Sequence, residues 1–468
     1  MYRAAFIDFS SNFYDKHPIY SLTSYLRSKG IDVYYIKEKN FQMTIARIKE
    51  FKPDVLLYSA FTSDIPIFIE FDKIVKEFIK VKSIIGGPGP TFDLSLSKRC
   101  TIDAFCIGEG EYALQEYILS GFTSGKNIIL NGEISPPGYF QFANLDSLPF
   151  PERDLVYQKD AIVKIIPSKQ FLTGRGCPYK CSYCFNNAFN RMFRACGNIM
   201  RKKSMDYVIA EIKEVKKKYP VKTAVFQDDT FIANKIWFFE FCDRFPSEIG
   251  LPYTCNVRAN LVDESIVKAL KQSGCVGVNW SIESGDDFLR NDVLKRYMTK
   301  EQIIETGRLL DKYKIPHRTG NIIGLPGENF EQMLETLRLN IRVRPTLSLA
   351  NIFVPYPSLE LTEYAVENNY LSKEALDNLP KNFFSHSVLN ITDAENLRIQ
   401  KLMLLFPLLV KFPFLFRNRL FKLLFALPKI ILRGIYECFS LYNFWRMYKV
   451  ETSLYTIFLL IRRYLKTI

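Results

Sequence analysis

"GRGCPYKCSYCFN", residues 174–186, holds Cys177, Cys181 and Cys184 in a C-x3-C-x2-C spacing, with Tyr183 directly before the last thiol. A structural zinc site takes four ligands, and this loop supplies three. Three thiolates are enough, however, to hold three irons of a [4Fe–4S] cluster and to leave the fourth iron open to a ligand that is not protein. A zinc ion closed by a distant donor is the alternative, with Cys196, Cys255 and Cys275 as candidates for that position.

The segments on either side say where the loop sits. Strand-like runs are read at Gln170–Thr173, Thr223–Phe226, Pro252–Val257, Gly277–Ser281, Arg318–Ile323 and Ala350–Val354, with helical stretches between them. These repeats predict a partial (β/α)6 barrel of the TIM type over residues 165–360, whose chemistry lies in the loops that follow the strands. The three-cysteine loop follows the first of them. Upstream, runs at Tyr2–Asp8, Asp32–Ile36, Val55–Ser59, Ser83–Gly86 and Ala104–Ile107 alternate with helical patterns such as "SLTSYLRSKG" and "FIEFDKIVKEFIK". That alternation predicts a doubly wound parallel sheet over residues 1–140, so the fold class is α/β. Ligands of such sheets sit beyond the carboxyl ends of the strands. Two glycine-bearing loops lie there: "IGGPGPTF", with Gly86 and Gly87, and "CIGEGEYAL", with Gly108, Glu109 and Gly110. Glycine lets the backbone approach a bulky ligand, and a tight turn is the other reading. Residues 141–164 read as a linker, because the prolines of "LDSLPFPERDLV" stop regular structure. Residues 361–468 read as a helical, basic and apolar C-terminal region.

A length of 468 residues suits two or three domains. The ten cysteines follow no disulfide spacing, and the opening "MYRAAFIDFS" alternates like a strand rather than like a signal peptide. A reducing, cytoplasmic setting is therefore expected, with the clustered thiols used for metal or redox chemistry. The net charge of +14 is uneven: Lys401–Ile468 carries 12 Lys+Arg against Glu437 and Glu451, a net of +10. With most of the excess in the tail, no nucleic-acid partner is expected. The longest apolar run there, Leu402–Val410, contains Pro407 and falls short of the roughly 20 residues a spanning helix needs. The tail is read either as a helical cap on the barrel or as a peripheral membrane contact through residues 401–468. Only His17, His317 and His386 are present, which leaves little conventional acid–base machinery and favours radical chemistry.

The cluster loop resembles that of the radical S-adenosylmethionine (SAM) superfamily, and the resemblance extends along the barrel. "FQDDTF" (226–231), "WSIESG" (280–285), "GNIIGLPGE" (320–328) and "FVPYPSLEL" follow in the order that family uses. The resemblance implies that SAM chelates the open iron and that an external donor of flavodoxin or ferredoxin type reduces the cluster. It further implies that Asp228 and Asp229 accept from the SAM ammonium, that Glu283 touches its ribose or methionine part, and that Gly320, Ile322, Gly324 and Glu328 line its adenine. "GGPGPT", "IGEGE" and "LPFPERDL" before the cluster loop make residues 1–360 similar to the cobalamin-binding branch of that superfamily. Asp15-Lys16-His17 occupies the place of an Asp-x-His cobalt-ligating motif but lacks its glycine, with Pro18 and Tyr20 in the turn. Ligation by His17, or a surface or capping role for it, both remain open. The activity implied is methylation of an unactivated carbon by way of cobalamin, on a small-molecule or lipid-like substrate. The alternatives are a cobalamin-binding rearrangement or cyclisation enzyme, and a cofactor-sensing module without turnover.

Overall fold

The structure is a computed structural model and describes residues 1–10, 15–380 and 382–448. The N-terminal sheet contains β1 (Arg3–Ile7), β2 (Asp32–Ile36), β3 (Val55–Ser59), β4 (Lys82–Gly86), β5 (Ala104–Cys106) and β6 (Ile128–Leu130), in the order β2-β1-β3-β4-β5-β6. The first five are parallel, and β6 joins β5 antiparallel as a three-residue edge too short to show a period in the sequence. The order reverses between β1 and β3, the switch point at which doubly wound sheets open a crevice. The helices are α1 (His17–Ser28), α2 (Phe41–Phe51), α3 (Ile65–Phe78), α4 (Pro88–Phe92) and α5 (Glu111–Leu119). Val55 and Leu57 of β3 pack with α1 and α5 on one face, and Leu56 and Tyr58 pack with α2 and α3 on the other. Burial on both faces is why β3 reads as an apolar run rather than as an alternation.

Two short helices, α6 (Asp154–Tyr157) and α7 (Ala161–Ile165), lead into the second sheet. It begins with β7 (Ser168–Phe171), followed by a small antiparallel ribbon of β8 (Gly174–Arg175) and β9 (Arg201–Lys202), with α8 (Phe185–Met192) between its strands. Strands β10 (Thr223–Phe226), β11 (Tyr253–Asn256), β12 (Cys275–Glu283), β13 (His317–Ile323) and β14 (Leu347–Ile352) complete a parallel arc in the order β14-β13-β12-β11-β10-β7. Helices α9 (Met205–Lys218), α10 (Lys235–Glu248), α11 (Glu264–Gln272), α12 (Lys300–Lys312) and α13 (Phe330–Val343) pack on this arc, the partial-barrel architecture expected from the sequence. β7 starts and ends earlier than the apolar pattern suggests. Lys169 lies in it fully buried, with its ammonium donating to the carbonyls of Val163 (2.7 Å) and Lys164 (2.9 Å), so a charged residue interrupts the signal. β14 likewise starts at Leu347, because Ser348 is buried in a hydrogen-bonded group with Asn340, Asn321 and Thr319.

After α14 (Glu360–Glu367), helix α15 (Asp393–Lys411) opens on a capping box of Thr392 and Glu395. It buries Leu402, Met403, Leu405, Phe406 and Leu409 in one cluster with Ile323, Ala350, Ile352 and the inner face of α13. Pro407 sits inside this helix and does not end it. Residues 401–410 are thus a cap on the barrel. Helices α16 (Asn418–Ala426) and α17 (Lys429–Tyr448) follow, and residues 449–468 of the basic tail lie outside the described residues. No described helix is long and apolar enough to cross a membrane.

Candidate functional site

The β8–β9 ribbon shapes the cluster loop. A side chain at Gly176, whose φ is +85°, would place its Cβ 2.1 Å from the carbonyl oxygen of Ile199, so only glycine lets the loop fold back on the strand leading into β9. Cys177 and Cys181 are buried. Cys184 caps α8, where the amide end of the helix favours negative charge. The backbone N–H of Cys184 donates to the carbonyl of Cys181 (3.2 Å), and Cys177 Sγ lies 3.7 Å from Thr230 Oγ1 at the end of β10. Burial pushes the Cys177 and Cys184 thiols up, and iron coordination would deprotonate them outright. The candidate zinc donors lie elsewhere, Cys196 in the core of the first sheet and Cys255 and Cys275 in that of the barrel. Among the described residues no three His, Cys, Asp or Glu side chains are placed to share a single metal ion.

Two arginines that the sequence reading passed over converge on Cys181. Arg258, after β11, directs Nη1 to Cys181 Sγ at 3.5 Å and lies 3.8 Å from the centre of the Tyr179 ring. Arg296 approaches the same sulfur at 3.9 Å, donates to Tyr183 Oη (3.1 Å) and to the carbonyl of Ser281 (2.6 Å), and accepts at its own carbonyl from Arg258. Tyr183 Oη donates to Glu283 Oε1 at 2.8 Å. Glu283 ends β12 in the left-handed region, at φ +67°, and burial pushes its carboxyl up against the pull of Arg296. The strain of a non-glycine residue there is of the kind that collects at functional sites. The Nε atoms of Arg258 and Arg296 and the Oδ1 atoms of Asn190 and Asn260 are enclosed without protein partners. Two cations, orphaned donors and a helix N-terminus around three thiols suit an anionic cluster whose open iron takes a ligand carrying a carboxylate.

The aspartate pair divides. Asp228 is buried and committed to the fold: its carboxylate accepts from Thr173 N (3.1 Å), Thr173 Oγ1 (2.7 Å) and Lys202 Nζ (2.8 Å). Asp229 is exposed beside Asn186, so it is the member open to a ligand's ammonium. Ile322 packs in the same apolar cluster as Tyr183. Gly320 faces Ser281, where a Cβ would lie 2.9 Å from its hydroxyl, and Gly324 faces Ile399 of α15.

The first sheet is tied to the cluster loop by charge. Arg175, two residues before Cys177, is paired with Glu111 at 2.5 Å and Glu109 at 3.2 Å, Arg201 pairs with Glu109 as well, and Ser21 donates to Glu111 (2.8 Å). A second tie uses the Asp-x-His segment. The Asp15 carboxylate accepts from Tyr157 Oη (2.7 Å), Gln170 N of β7 (2.8 Å) and Tyr20 Oη (3.0 Å), and it pairs with buried Arg153 (3.1 Å). It is therefore spent on the barrel rather than on orienting an imidazole, as an axial ligand requires. His17 keeps Nε2 enclosed without a partner, and burial with Arg153 nearby holds it neutral, its pKa down to about 3. Among the loop glycines, Gly87 lies against the backbone of Ala60, Gly108 against the Phe193 ring, Gly110 against Leu22 and Gly86 against Cys106, so packing within the chain already explains their lack of a side chain.

Residues 171–339 match the Radical SAM superfamily model, and residues 13–118 match the B12 binding domain. The chain is a radical SAM protein with a B12-binding domain. A [4Fe–4S] cluster, SAM and cobalamin are the cofactors this pairing brings. The radical SAM protein is 30% identical over 301 residues to an uncharacterized methyltransferase from Pyrococcus horikoshii, covering 62% of this chain and 64% of that one. It is 25% identical over 295 residues to the anaerobic magnesium-protoporphyrin IX monomethyl ester cyclase of Cereibacter sphaeroides, covering 58% of this chain and 47% of that one. The chain thus spans between about half and two thirds of the length of these curated relatives. The fold is similar to that of the radical SAM methyltransferase TsrM from Kitasatospora setae, solved with tryptophan substrate and a SAM analogue bound. The TM-score is 0.65 at 18% identity, over 79% of this chain and 76% of that one. The residues present fit the cluster and SAM. For cobalamin the sheet order and the switch point fit, while His17 is not arranged as a cobalt ligand.

Proposed function

We propose that the protein is a cobalamin-dependent radical SAM methyltransferase acting on an unactivated carbon of a small-molecule or lipid-like substrate. One observation carries this reading: Glu109 and Glu111, which follow β5 of the B12-type sheet at the start of α5, hold Arg175 at the root of the cluster loop, so both cofactor regions bear on one place. When bound, the cluster and SAM supply a 5′-deoxyadenosyl radical that abstracts hydrogen, and cobalamin supplies the methyl group. Cys177, Cys181 and Cys184 hold the cluster. Arg258 and Arg296 offset its negative charge and present donors for the SAM carboxylate, and Asp229 accepts from its ammonium. Tyr183, fixed by Glu283 and Arg296, and Ile322 form an apolar wall for the adenosyl part. The sheet clamped over the loop excludes water, which a carbon radical requires. An external one-electron donor and a reducing, cytoplasmic setting complete the reading.

Anaerobic reconstitution should give about four irons per chain. With SAM, cobalamin and a reductant, 5′-deoxyadenosine and S-adenosylhomocysteine should both form, and alanine at Cys177, Cys181 and Cys184 should abolish 5′-deoxyadenosine. Full cleavage by that triple variant would overturn the cluster assignment. The similarity to a cyclase favours a second reading, rearrangement or ring closure. It predicts 5′-deoxyadenosine without S-adenosylhomocysteine, and a sensing module predicts neither.

A further inference from the structure

Between Asn396 and Tyr436 the chain has no acidic residue, while Arg398, Lys401, Lys411, Arg417, Arg419, Lys422, Lys429 and Arg433 fall within it. Folding sorts the apolar residues of this stretch into two sets. Phe421, Leu424, Phe425 and Leu432 turn inward and pack with α15 and the outer barrel. Leu420 and Leu423, three apart on α16, turn outward with Phe412, Phe414, Ile430 and Ile431; Leu423 is 67% exposed, Ile430 76% and Phe414 53%. Arg417, Arg419 and Lys422 are exposed among them. Large aliphatic side chains are seldom left in water in such a group, and an exposed apolar patch with a charged rim marks an interaction surface.

We propose that residues 411–434 form a docking face for an anionic lipid bilayer, with Phe414, Leu420, Leu423, Ile430 and Ile431 entering the headgroup boundary and the flanking arginines and lysines meeting acidic headgroups. The charge decides between occupants. A second copy of the same face would bring like charges together, and a nucleic acid would meet aliphatic side chains that its backbone cannot use. An acidic, partly apolar bilayer surface complements both features. No described helix is long and apolar enough to span, so the contact is one of a surface lying on the membrane.

The test is co-sedimentation of the full, anaerobically purified chain with vesicles of phosphatidylcholine alone and of phosphatidylcholine mixed with phosphatidylglycerol. Binding is expected only to the mixed vesicles and should fall as salt shortens the Debye length. Replacing Arg417, Arg419 and Lys422 by Gln should weaken it about a hundredfold, at roughly fivefold per charge. A second variant, Leu423→Asp with Ile430→Asp, should abolish binding on mixed vesicles. These side chains are exposed, so both variants should keep the melting temperature and cluster content of the parent. Absence of binding at low salt would overturn the proposal. So would binding unchanged in both variants, or a dimer lost in the Asp variant with no effect of vesicles.

Discussion

Replacing Glu111 tests whether the two cofactor regions are held together by charge. Glu111 is 4% exposed and accepts from Arg175 and Ser21. Burial opposes its ionisation, but Arg175 overrides that and holds the carboxyl down at about 2, against an ordinary 4.5. That shift corresponds to about 3 kcal/mol at 1.36 kcal/mol per unit. Removing one partner of a buried pair costs about 3–5 kcal/mol. Arg175 keeps Glu109 at 3.2 Å and its side chain is 29% exposed, which moves the expectation to about 2–3 kcal/mol for Glu111→Gln. The urea midpoint of the domain interface should therefore fall by about 1 M at neutral pH. Because the folded pKa is depressed, the stabilisation is present above about 4.5 and is lost as pH falls toward about 2, so parent and variant should converge in acid. Pairing the change with Arg175→Met should recover part of the loss, because the double variant leaves no unpaired cation from this pair. Denaturation followed by far-UV circular dichroism and by tryptophan fluorescence reads all three. A Glu111→Gln midpoint equal to that of the parent at neutral pH, or a double variant no better than the sum of the singles, would refute the reasoning.

Three further outcomes follow from the site. Arg258→Met removes a donor and a positive charge from Cys181 Sγ, so the cluster potential, read by redox titration with electron paramagnetic resonance, should fall by tens of millivolts. His17→Ala should leave the absorption spectrum of bound cobalamin unchanged, since Asp15 is committed to Arg153, Tyr157 and Gln170; a shifted spectrum would make the imidazole a ligand. Burial pushes the Glu328 carboxyl up to about 8 while the Leu325 N–H pulls the other way, so its contribution is full below about 4.5 and is lost as pH rises through about 8. Glu328→Gln should then melt like the parent in mild acid and be more stable than it by about 2–3 kcal/mol above pH 8, the residue's partial exposure having trimmed the full shift.

Much of the architecture was written in local patterns. Strands buried on both faces show as apolar runs, amphipathic helices show as 3.6-residue periods, and a cluster that needs three thiols from one loop leaves its spacing in eleven consecutive residues, Arg175–Phe185. Cys177, Cys181, Cys184, Tyr183 and Glu283 could be put forward from the sequence because each lies inside such a contiguous motif. What the chain alone did not disclose depends on residues distant in sequence that meet only after folding. Arg258 and Arg296 reach Cys181 from separate loops, and a lone arginine in a loop carries no local signal. Adjacent Asp228 and Asp229 look equivalent until the fold spends one on Thr173 and Lys202 and leaves the other at the surface. Asp15 reads as half of a cofactor motif, yet tertiary contacts make it an anchor to β7, because a buried carboxylate must take the strongest donors within reach. The tail divides for the same reason. Composition sees one basic, apolar stretch, and only packing against β13 and β14 decides that Leu402–Val410 is core while Leu420 and Leu423 face outward.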